Sequence, residues 1–461
     1  MQRKWVVTRI VCAGVFMASL DLFIVNIAFP AIATHFHGAS LGSVSWVLSG
    51  YAIVFAALLV PAGRWADAFG RKRAFLLGLA IFVVASAGCA LAPSVEFLVG
   101  TRVLQAAGAA LMLPTSLGLM LPEFAPHERH AGIGVWAATG GIAAAAGPPL
   151  GGLLVQADWR LVFLVNIPVG LLGLFFGARS LAERRERDAT RPDVAGAVAF
   201  MVAIGALVLA IVQGQTWGWS SPATIALIAL SALLLPAIWW RSARHPAPIV
   251  DPAMLRVRSF GLALGASAVF FGGFAAMLLS GVLFLTTVWH ESVLTAGLML
   301  FPGPAAATAL TVPSARLGAR VGYRIPGVLG SLMFACGSLW YITRTGNGPH
   351  YFSHYLPGLI VSGAGVGLVI PTLTGAGASS LAPERFATGA AVLTMGRQVG
   401  SALGVAVLVA VLGAHAVSAT DFHTGWLITV AAGLVAGAAF AALGPRTAPA
   451  LSSPAPAEAT A

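Results

Sequence analysis

The sequence predicts an all-α, polytopic membrane protein with fourteen transmembrane helices. Of its 461 residues, 58% are hydrophobic and only 9% are charged, and the mean hydropathy is +0.89. Soluble domains carry about 25% charged residues, so this composition excludes a soluble protein. The positive charge is also unevenly placed, because 22 of the 26 Lys and Arg residues fall in segments that we assign to one side of the membrane.

Fourteen apolar runs are each near the ~20 residues that a helix needs to cross a ~30 Å hydrocarbon core. An even number of spans places both termini on one side, and the basic loops predict that this side is the cytoplasm. The predicted spans are about 9–30, 43–62, 74–92, 96–120, 132–156, 160–181, 195–214, 223–241, 259–289, 294–313, 325–343, 352–375, 388–412 and 424–443.

Other features of the composition narrow the class of protein. The first apolar run has a basic start like a signal peptide, but polar Asp21 and Asn26 interrupt it and favour an uncleaved span. Cys12, Cys89 and Cys336 lie in distant apolar runs, which indicates neither a disulfide framework nor a metal site. The net charge of +11 would suggest nucleic acid as a partner of a soluble chain, but here it follows the membrane topology. We expect no metal and no nucleic acid.

Two groups of residues recur along the chain, at offsets of 252 and 257. Pro61, Arg64 and Gly70 return as Pro313, Arg316 and Gly322, and Gly108, Pro114 and Thr115 return as Gly365, Pro371 and Thr372. Two matches at nearly the same offset predict two homologous six-helix bundles with pseudo-symmetry. We assign residues 1–181 and 259–443 to these bundles, 182–258 to linkers and an inserted two-helix hairpin (spans 7 and 8), and 444–461 to a disordered cytoplasmic tail.

The loop between the second and third runs combines dense positive charge with two glycines. Over Val60–Arg73 it reads VPAGRWADAFGRKR, and the glycines permit the tight turns that close a hairpin of membrane helices. By charge alone it is an ordinary basic cytoplasmic loop. The order G-R-x-A-D-x-x-G-R-K-R is more specific and resembles the signature loop of the major facilitator superfamily. The resemblance implies a conformational role for Gly63, Arg64, Asp67, Gly70 and Arg71.

Asp21 is the one acid that we place well inside the membrane, about 12 Å from the outer face. Arg102 lies at about 10 Å in a helix of opposite direction. An unpaired charge at this depth costs at least ~2.5–3.5 kcal/mol, so each must face a partner, water or the bundle interior. A structural ion pair and a proton-carrying site both fit these positions.

Several stretches resemble the drug:proton antiporters of the superfamily. LDLFIVNIAFP (Leu20–Pro30) is similar to their first-span motif, with Asp21 and Asn26 at the matching places. Arg102 and Gln105 open the pattern R-x-x-Q-x-x-G of the fourth span, whose Arg the family assigns to proton transfer. DWRLVFLVNIPVG in the sixth span and the extra hairpin are similar to the fourteen-span branch of that family.

The fifth span contains the string GGIAAAAGPPLGG. Two of its glycines lie four residues apart on one helix face and permit close helix contact, and a proline can kink the span. Tight packing alone accounts for the glycines, but the whole string resembles the motif that marks exporters of the superfamily. The residues concerned are Gly140, Gly147, Pro148, Gly151 and Gly152.

The second half departs from the first. Ala319 stands where the repeat predicts Asp67, and Leu359 replaces Arg102, so we expect proton chemistry only in the first half. The thirteenth span carries Arg397, about 15 Å deep. This residue is either a packing cation bonded to carbonyl groups or a group that prefers anionic or neutral cargo.

The resemblance implies a secondary transporter of the cell membrane, not an enzyme, that exports amphipathic organic compounds against an inward flow of protons. Cargo is then expected to bind near the midplane between two halves that rock to give alternating access. Protons are the coupling ion, no cofactor is needed, and we expect a monomer. Candidates for the substrate pathway are Asn26, Gln105, Phe270, Phe271, Phe274, Met277, Arg397 and Gln398.

Two other functions remain open at this point. One is an exporter with a narrow natural cargo, such as an antibiotic intermediate, a lipid or a siderophore. The other is a membrane receptor or scaffold that transports nothing, against which the two buried charges Asp21 and Arg102 argue.

The predicted topology can be tested with an inserted epitope tag. A tag at Ala189, in the basic loop before the hairpin, is expected to react with antibody only after the cells are permeabilised. A tag after Gly218, in the outer turn of the hairpin, serves as the control and should react in intact cells. Reaction of the Ala189 tag in intact cells would show that the orientation is wrong.

Overall fold

The computed structural model describes residues 3–125, 128–185, 192–382, 385–413 and 418–443. These parts of the chain are helical and contain no strand. Fourteen spans are long and apolar enough to cross a membrane, which confirms the predicted fold class. Spans 1 to 14 are Arg3–His35, Leu41–Phe69, Arg71–Ala90, Val95–Glu123, Ala131–Ala157, Leu161–Ser180, Val194–Trp217, Pro222–Ser242, Arg258–Thr287, Val293–Val321, Arg324–Arg344, Tyr351–Gly377, Thr388–Leu412 and Ala419–Ala441.

Four spans are not continuous α-helices, and one of them, span 4, ends in a 3-10 turn at Leu121–Glu123. Span 6 consists of Leu161–Leu164 and Asn166–Ser180, and span 10 consists of Val293–Leu300 and Pro302–Val321. The break in span 10 precedes a proline, which has no N–H group and clashes with the preceding turn. Span 12 begins with a π-helical turn at Tyr351–Tyr355. A separate short helix lies at Pro252–Arg256.

A serine immediately precedes the first residue of four even-numbered spans, on the side opposite the chain ends. The side chains of Ser40, Ser94, Ser221 and Ser292 each accept a hydrogen bond from the backbone N–H three residues further on. A serine at this position satisfies one of the four free N–H groups of a helix start and stabilises it by about 1 kcal/mol.

The packing of the spans repeats along the chain. Among the first six spans the closest pairs are 3 with 4, 1 with 5, 2 with 4, 3 with 6 and 1 with 6. Among the last six they are 11 with 12, 9 with 13, 10 with 12, 11 with 14 and 9 with 14. Each pair of the second set is a pair of the first set moved on by eight spans.

Glycine contacts repeat in the same way. A Cβ atom at Gly108 would lie 2.6 Å from the carbonyl oxygen of Gly78, where spans 3 and 4 cross. A Cβ atom at Gly365 would lie 2.5 Å from the carbonyl oxygen of Gly330, where spans 11 and 12 cross. The recurrence of Gly108 as Gly365 therefore marks two equivalent close crossings of backbones.

The inserted hairpin covers one junction between the two sets of spans. Span 2 packs against span 13, and span 7 packs against both of them, while span 8 packs on span 7. Only 11% of the most apolar part of span 8 is buried, so most of it faces lipid. At the base of the hairpin Arg241 pairs with Asp193 at 2.8 Å. Burial raises the pKa of Asp193, but hydrogen bonds from Arg241 and from the Gly196 N–H lower it below its usual range overall.

The two ends of the spans are packed differently. On the side opposite the chain ends, a single apolar core includes Ile24 and Phe163 of the first six spans and Phe284 and Trp426 of the last six. On the side of the chain ends there are two separate cores, one for each set of six spans, and Val60 of span 2 is the one buried residue of the first set in the second core. The two sets are therefore joined most closely at the ends away from the termini.

The crossing of spans 3 and 4 provides a test of this packing. Gly108→Ala is expected to lower the melting temperature of the purified protein, because the added methyl group overlaps the Gly78 carbonyl and overpacking costs about 1–3 kcal/mol. Gly100→Ala, on the same helix but with no atom within 4 Å of the new methyl group, should leave it unchanged or raise it slightly. Equal effects of the two substitutions would contradict the close crossing.

Candidate functional site

The two charges predicted at equal depth meet in the structure. Asp21 in span 1 and Arg102 in span 4 are both completely buried, and Nη1 of Arg102 donates a hydrogen bond to Oδ2 of Asp21. Neither charge faces lipid or solvent. Burying both ions is costly, and the pair is retained only because further hydrogen bonds complete it.

Three uncharged side chains complete the ion pair. Gln105 accepts a hydrogen bond from Arg102 at 2.6 Å and donates to Oδ1 of Asp21 at 3.0 Å. The same amide nitrogen lies 2.8 Å from the hydroxyl of Ser86. Asn166 in span 6 donates to Oδ1 of Asp21 at 3.1 Å. Each carboxylate oxygen therefore has at least one donor, and spans 1, 3, 4 and 6 meet at this point; we call these five residues the buried network.

Arg102 is held from a further side by span 2. Its Nε donates to the backbone oxygen of Val47 at 3.1 Å, and its guanidinium lies 4.2 Å from the ring centre of Tyr51. Its Nη2 is buried and has no hydrogen-bond partner among the described residues. The guanidinium thus keeps the two N–H donors of Nη2 free for a new acceptor.

Sequence reasoning found Asp21, Arg102 and Gln105 but did not single out Ser86 or Asn166. Asn166 stood within the string DWRLVFLVNIPVG, and a polar amide inside an apolar span is itself a signal of a polar partner. Ser86 has no comparable signal, because serine occurs in apolar helices with its hydroxyl bonded to its own backbone.

The equivalent place in the second half is aromatic. At the positions that correspond to Arg102 and Gln105 by the 257-residue offset stand Leu359 and Ser362. Beside them the ring of Tyr341 stacks on that of Tyr355 at 4.8 Å, and its hydroxyl lies 3.5 Å from that of Ser362. The described part of this region contains no ion pair.

The signature loop forms an ion pair and a backbone contact. Asp67 pairs with Arg71 at 2.7 Å, and Nη1 of Arg71 lies 3.4 Å from the carbonyl oxygen of Gly118 in span 4. Half-buried Arg64 interacts electrostatically with Asp251 and Asp67, and the Cβ atom of a residue at Gly63 would contact span 4. The loop therefore connects the ends of spans 2, 3 and 4.

Glu183, which the sequence did not indicate, completes this loop. Its carboxylate accepts a hydrogen bond from the backbone N–H of Lys72 at 3.1 Å, and a carboxylate is favourable at the start of a helix. Gly70 has a φ of 123°, and a Cβ atom there would lie 2.5 Å from Oε1 of Glu183. Glycine is required here both for its conformation and for the approach of the carboxylate.

The second-half copy of the loop uses an aromatic ring in place of the ion pair. By the 252-residue offset, Tyr323 stands where Arg71 stands in the first half. Tyr323 packs against Gly375, which corresponds to Gly118. The same helix contact is thus made with charge in one half and without it in the other.

The glycine-rich string of span 5 contacts other helices on two of its faces. Gly147 packs against Phe23, and Gly151 packs against Ile27, both in span 1. On the other face, a Cβ atom at Gly152 would lie 2.9 Å from the Cα of Leu294 in span 10. The backbone oxygen of Pro148 also contacts Gly297 in span 10, whereas at Gly140 the nearest atom is 4.0 Å from a Cβ. The string therefore joins the two halves at the end away from the termini.

The substrate-pathway candidates are not brought together as one group. Asn26 donates to the backbone oxygen of Leu22 in its own helix and does not reach Asp21. Phe270 is completely buried against Phe334, and Met277 is also buried, so in this conformation both are packing residues. Helical spacing alone could not distinguish these residues from the half-buried ones, Phe271, Phe274, Arg397 and Gln398.

Twelve spans in two repeating sets of six, two further spans in a hairpin, and an ion pair buried where five helices meet define this protein as a membrane transporter. The family model described as Major Facilitator Superfamily matches residues 11–405. The chain belongs to the major facilitator superfamily. It is a multi-pass membrane transporter rather than an enzyme.

Relatives are similar over most of their length. The chain is 34% identical to "Multidrug resistance protein Stp" of Mycobacterium tuberculosis, over 92% of this chain and 79% of that protein. It is 34% identical to "Tetracenomycin C resistance and export protein" of Streptomyces glaucescens, over 88% and 75% of the two chains. Among solved structures, a peptide transporter POT in complex with sulfate has a TM-score of 0.67 over 94% of each chain, and its 18% identity shows the fold alone.

The ion pair of the signature loop leads to a test by substitution. Asp67→Asn is expected to slow transport about fivefold, because losing ~1 kcal/mol of stabilisation at the ends of spans 2, 3 and 4 shifts the balance of conformations by that factor. Expression and cargo binding should stay within about twofold. Asp158→Asn removes an exposed carboxylate on the opposite side as a control. If Asp67→Asn abolishes binding as well, the loop has a direct role in binding or folding instead.

Proposed function

We propose that this protein exports amphipathic organic compounds of the antibiotic type in exchange for protons, and that Asp21 is the carboxyl that carries the proton. The observation that carries the proposal is the buried network, where a single carboxylate is held by one guanidinium and two amides away from lipid. The relatives named for multidrug resistance and for tetracenomycin C export support the class of cargo.

The arrangement of donors gives protonation a mechanical effect. When Asp21 gains a proton, its charge attraction for Arg102 is lost, and the amide oxygen of Gln105 becomes the better acceptor for Nη1. Arg102 can then move toward Gln105 and offer its free Nη2 to another acceptor. Proton loading would thus weaken the junction of span 1 with spans 3, 4 and 6.

Two bundles of six spans, residues 1–181 and 259–443, are the moving parts in this proposal, with the hairpin in 182–258 as a structural insertion. The repeated helix pairs support the division. The joint core away from the termini, and the separate cores near them, support a conformation that opens toward the termini. We assign that side to the cytoplasm because most cations lie there. One chain supplies both bundles, so the transporter works as a monomer; the predicted tail, 444–461, lies outside the described residues.

A dedicated exporter of one natural product is the second candidate. Relatives named for a single antibiotic, such as "Methylenomycin A resistance protein" of Streptomyces coelicolor at 32% identity, favour it. Growth inhibition by a panel of toxic compounds, with and without expression of the protein, separates the two. Protection against several unrelated compounds supports broad export, and protection against one supports the dedicated exporter.

The role of Asp21 is tested with Asp21→Asn in everted membrane vesicles. The amide keeps an acceptor oxygen for Arg102 but cannot carry a proton, so cargo-induced proton release should fall to background. Efflux driven by a pH gradient should disappear with it, while equilibration of cargo without energy survives. Full proton-coupled efflux by the variant would mean that Asp21 only forms a structural ion pair.

Two controls separate loss of coupling from loss of stability. Leaving one charge of a buried pair unpaired costs about 3–5 kcal/mol, whereas removing both is nearly neutral. The double variant Asp21→Asn, Arg102→Gln should therefore fold at least as well as the single variant and remain uncoupled. Asp193→Asn breaks a different carboxylate–arginine pair, in the hairpin, and should retain proton release.

A further inference from the structure

Span 13 has one polar face on an otherwise apolar helix. Gly400 packs against the backbone of span 9, and Ala402 shares an apolar cluster with Ile53 of span 2. With 3.6 residues per turn, a third face lies between these two contacts, and it points between the bundles. The residues on this face are Thr394, Arg397, Gln398 and Ser401.

Arg397 is the only charged residue on this face, and its contacts do not satisfy all of its N–H donors. The guanidinium donates from Nη2 to the hydroxyl of Thr374 in span 12 and lies 5.2 Å from the ring centre of Phe271 in span 9. Its Nε is buried without a hydrogen-bond partner among the described residues, and so is Nε2 of the adjacent Gln398. Two neighbouring donors therefore lack an acceptor.

No carboxylate in the described parts of the chain forms an ion pair with Arg397. Asp21, the acid buried inside the membrane, is committed to Arg102. Thr374, which accepts the hydrogen bond from Arg397, is an exposed residue, and Arg397 as a whole is half-buried, so protein atoms do not enclose this pair on every side. A cation inside a membrane is costly, and one without a counter-ion is by default a candidate functional group.

We propose that Arg397, Gln398 and the ring of Phe271 form a subsite for the carboxylate of an otherwise apolar, aromatic cargo. This deepens the proposed function and rests on it. A guanidinium binds a carboxylate through directed N–H groups, and the free Nε and the Gln398 amide are the donors available for its oxygens. The Phe271 ring offers an apolar surface next to the charge. Cationic amphiphiles should bind poorly.

The test uses two coloured probes that share one ring system, of which only one carries a carboxylate. One is 4,5-dihydroxyanthraquinone-2-carboxylate, and the other carries an uncharged hydroxymethyl group in place of the carboxylate. Equilibrium dialysis against purified protein in detergent, corrected with protein-free micelles, gives both dissociation constants. The parent protein should bind the carboxylate more tightly. Arg397→Gln should weaken carboxylate binding about 10- to 100-fold, the effect of a charged hydrogen-bonded contact, and change hydroxymethyl binding by less than about threefold.

Two further variants exclude trivial explanations. Arg397→Lys keeps the charge but lacks the Nε–H donor, so it should recover only part of the preference for the carboxylate. Arg344→Gln removes an exposed arginine on the opposite side of the membrane and should leave both constants unchanged. The inference is wrong if the parent shows no preference between the probes, or if Arg397→Gln weakens both equally.

This binding measurement involves neither protons nor transport, so its outcome is independent of whether the proposed function is correct. A protein that exports neutral compounds in exchange for protons but shows no carboxylate preference would overturn the subsite alone. A protein whose carboxylate binding depends on Arg397, but which protects cells from no compound in the panel, would overturn the exporter alone.

Discussion

A carboxylate and a guanidinium inside a membrane must find every hydrogen-bond partner within the protein, because the hydrocarbon core offers none. This constraint explains why five spans converge on Asp21 and Arg102. Asn166 and Ser86 bring in spans 6 and 3, and the backbone oxygen of Val47 brings in span 2. Because spans 3 and 4 cross at glycines, their backbones come close enough for these short polar side chains to reach the ion pair.

The second half keeps the helix packing of the first but not its charges. Stacked rings of Tyr341 and Tyr355 fill the region that corresponds to the ion pair, and Tyr323 makes the contact that Arg71 makes in the first half. Neutral aromatic contacts need no charged partner inside the membrane. The cation deep in span 13, Arg397, has no carboxylate partner among the described residues.

The sequence predicted the helices well because each is a long apolar run, and it predicted the meeting of Asp21 and Arg102 because matched depth leaves buried charges few other partners. It did not predict helix ends such as that of span 10, where the expected 294–313 extends to Val321, since polar turns continue a helix beyond the hydrocarbon. Glu183 was missed because its contact with Lys72 joins segments far apart in sequence. Such contacts depend on three-dimensional packing, which one sequence does not specify.

The position of the inserted hairpin has a consequence for compounds dissolved in lipid. The two repeating sets of six spans meet along two seams, spans 2 and 13 on one side and spans 5 and 10 on the other. Span 7 lies across the first seam, and the repeat supplies no equivalent helix for the second. For a compound dissolved in the bilayer, span 7 therefore lies between the lipid and the seam of spans 2 and 13, whereas no added span lies in front of the seam of spans 5 and 10.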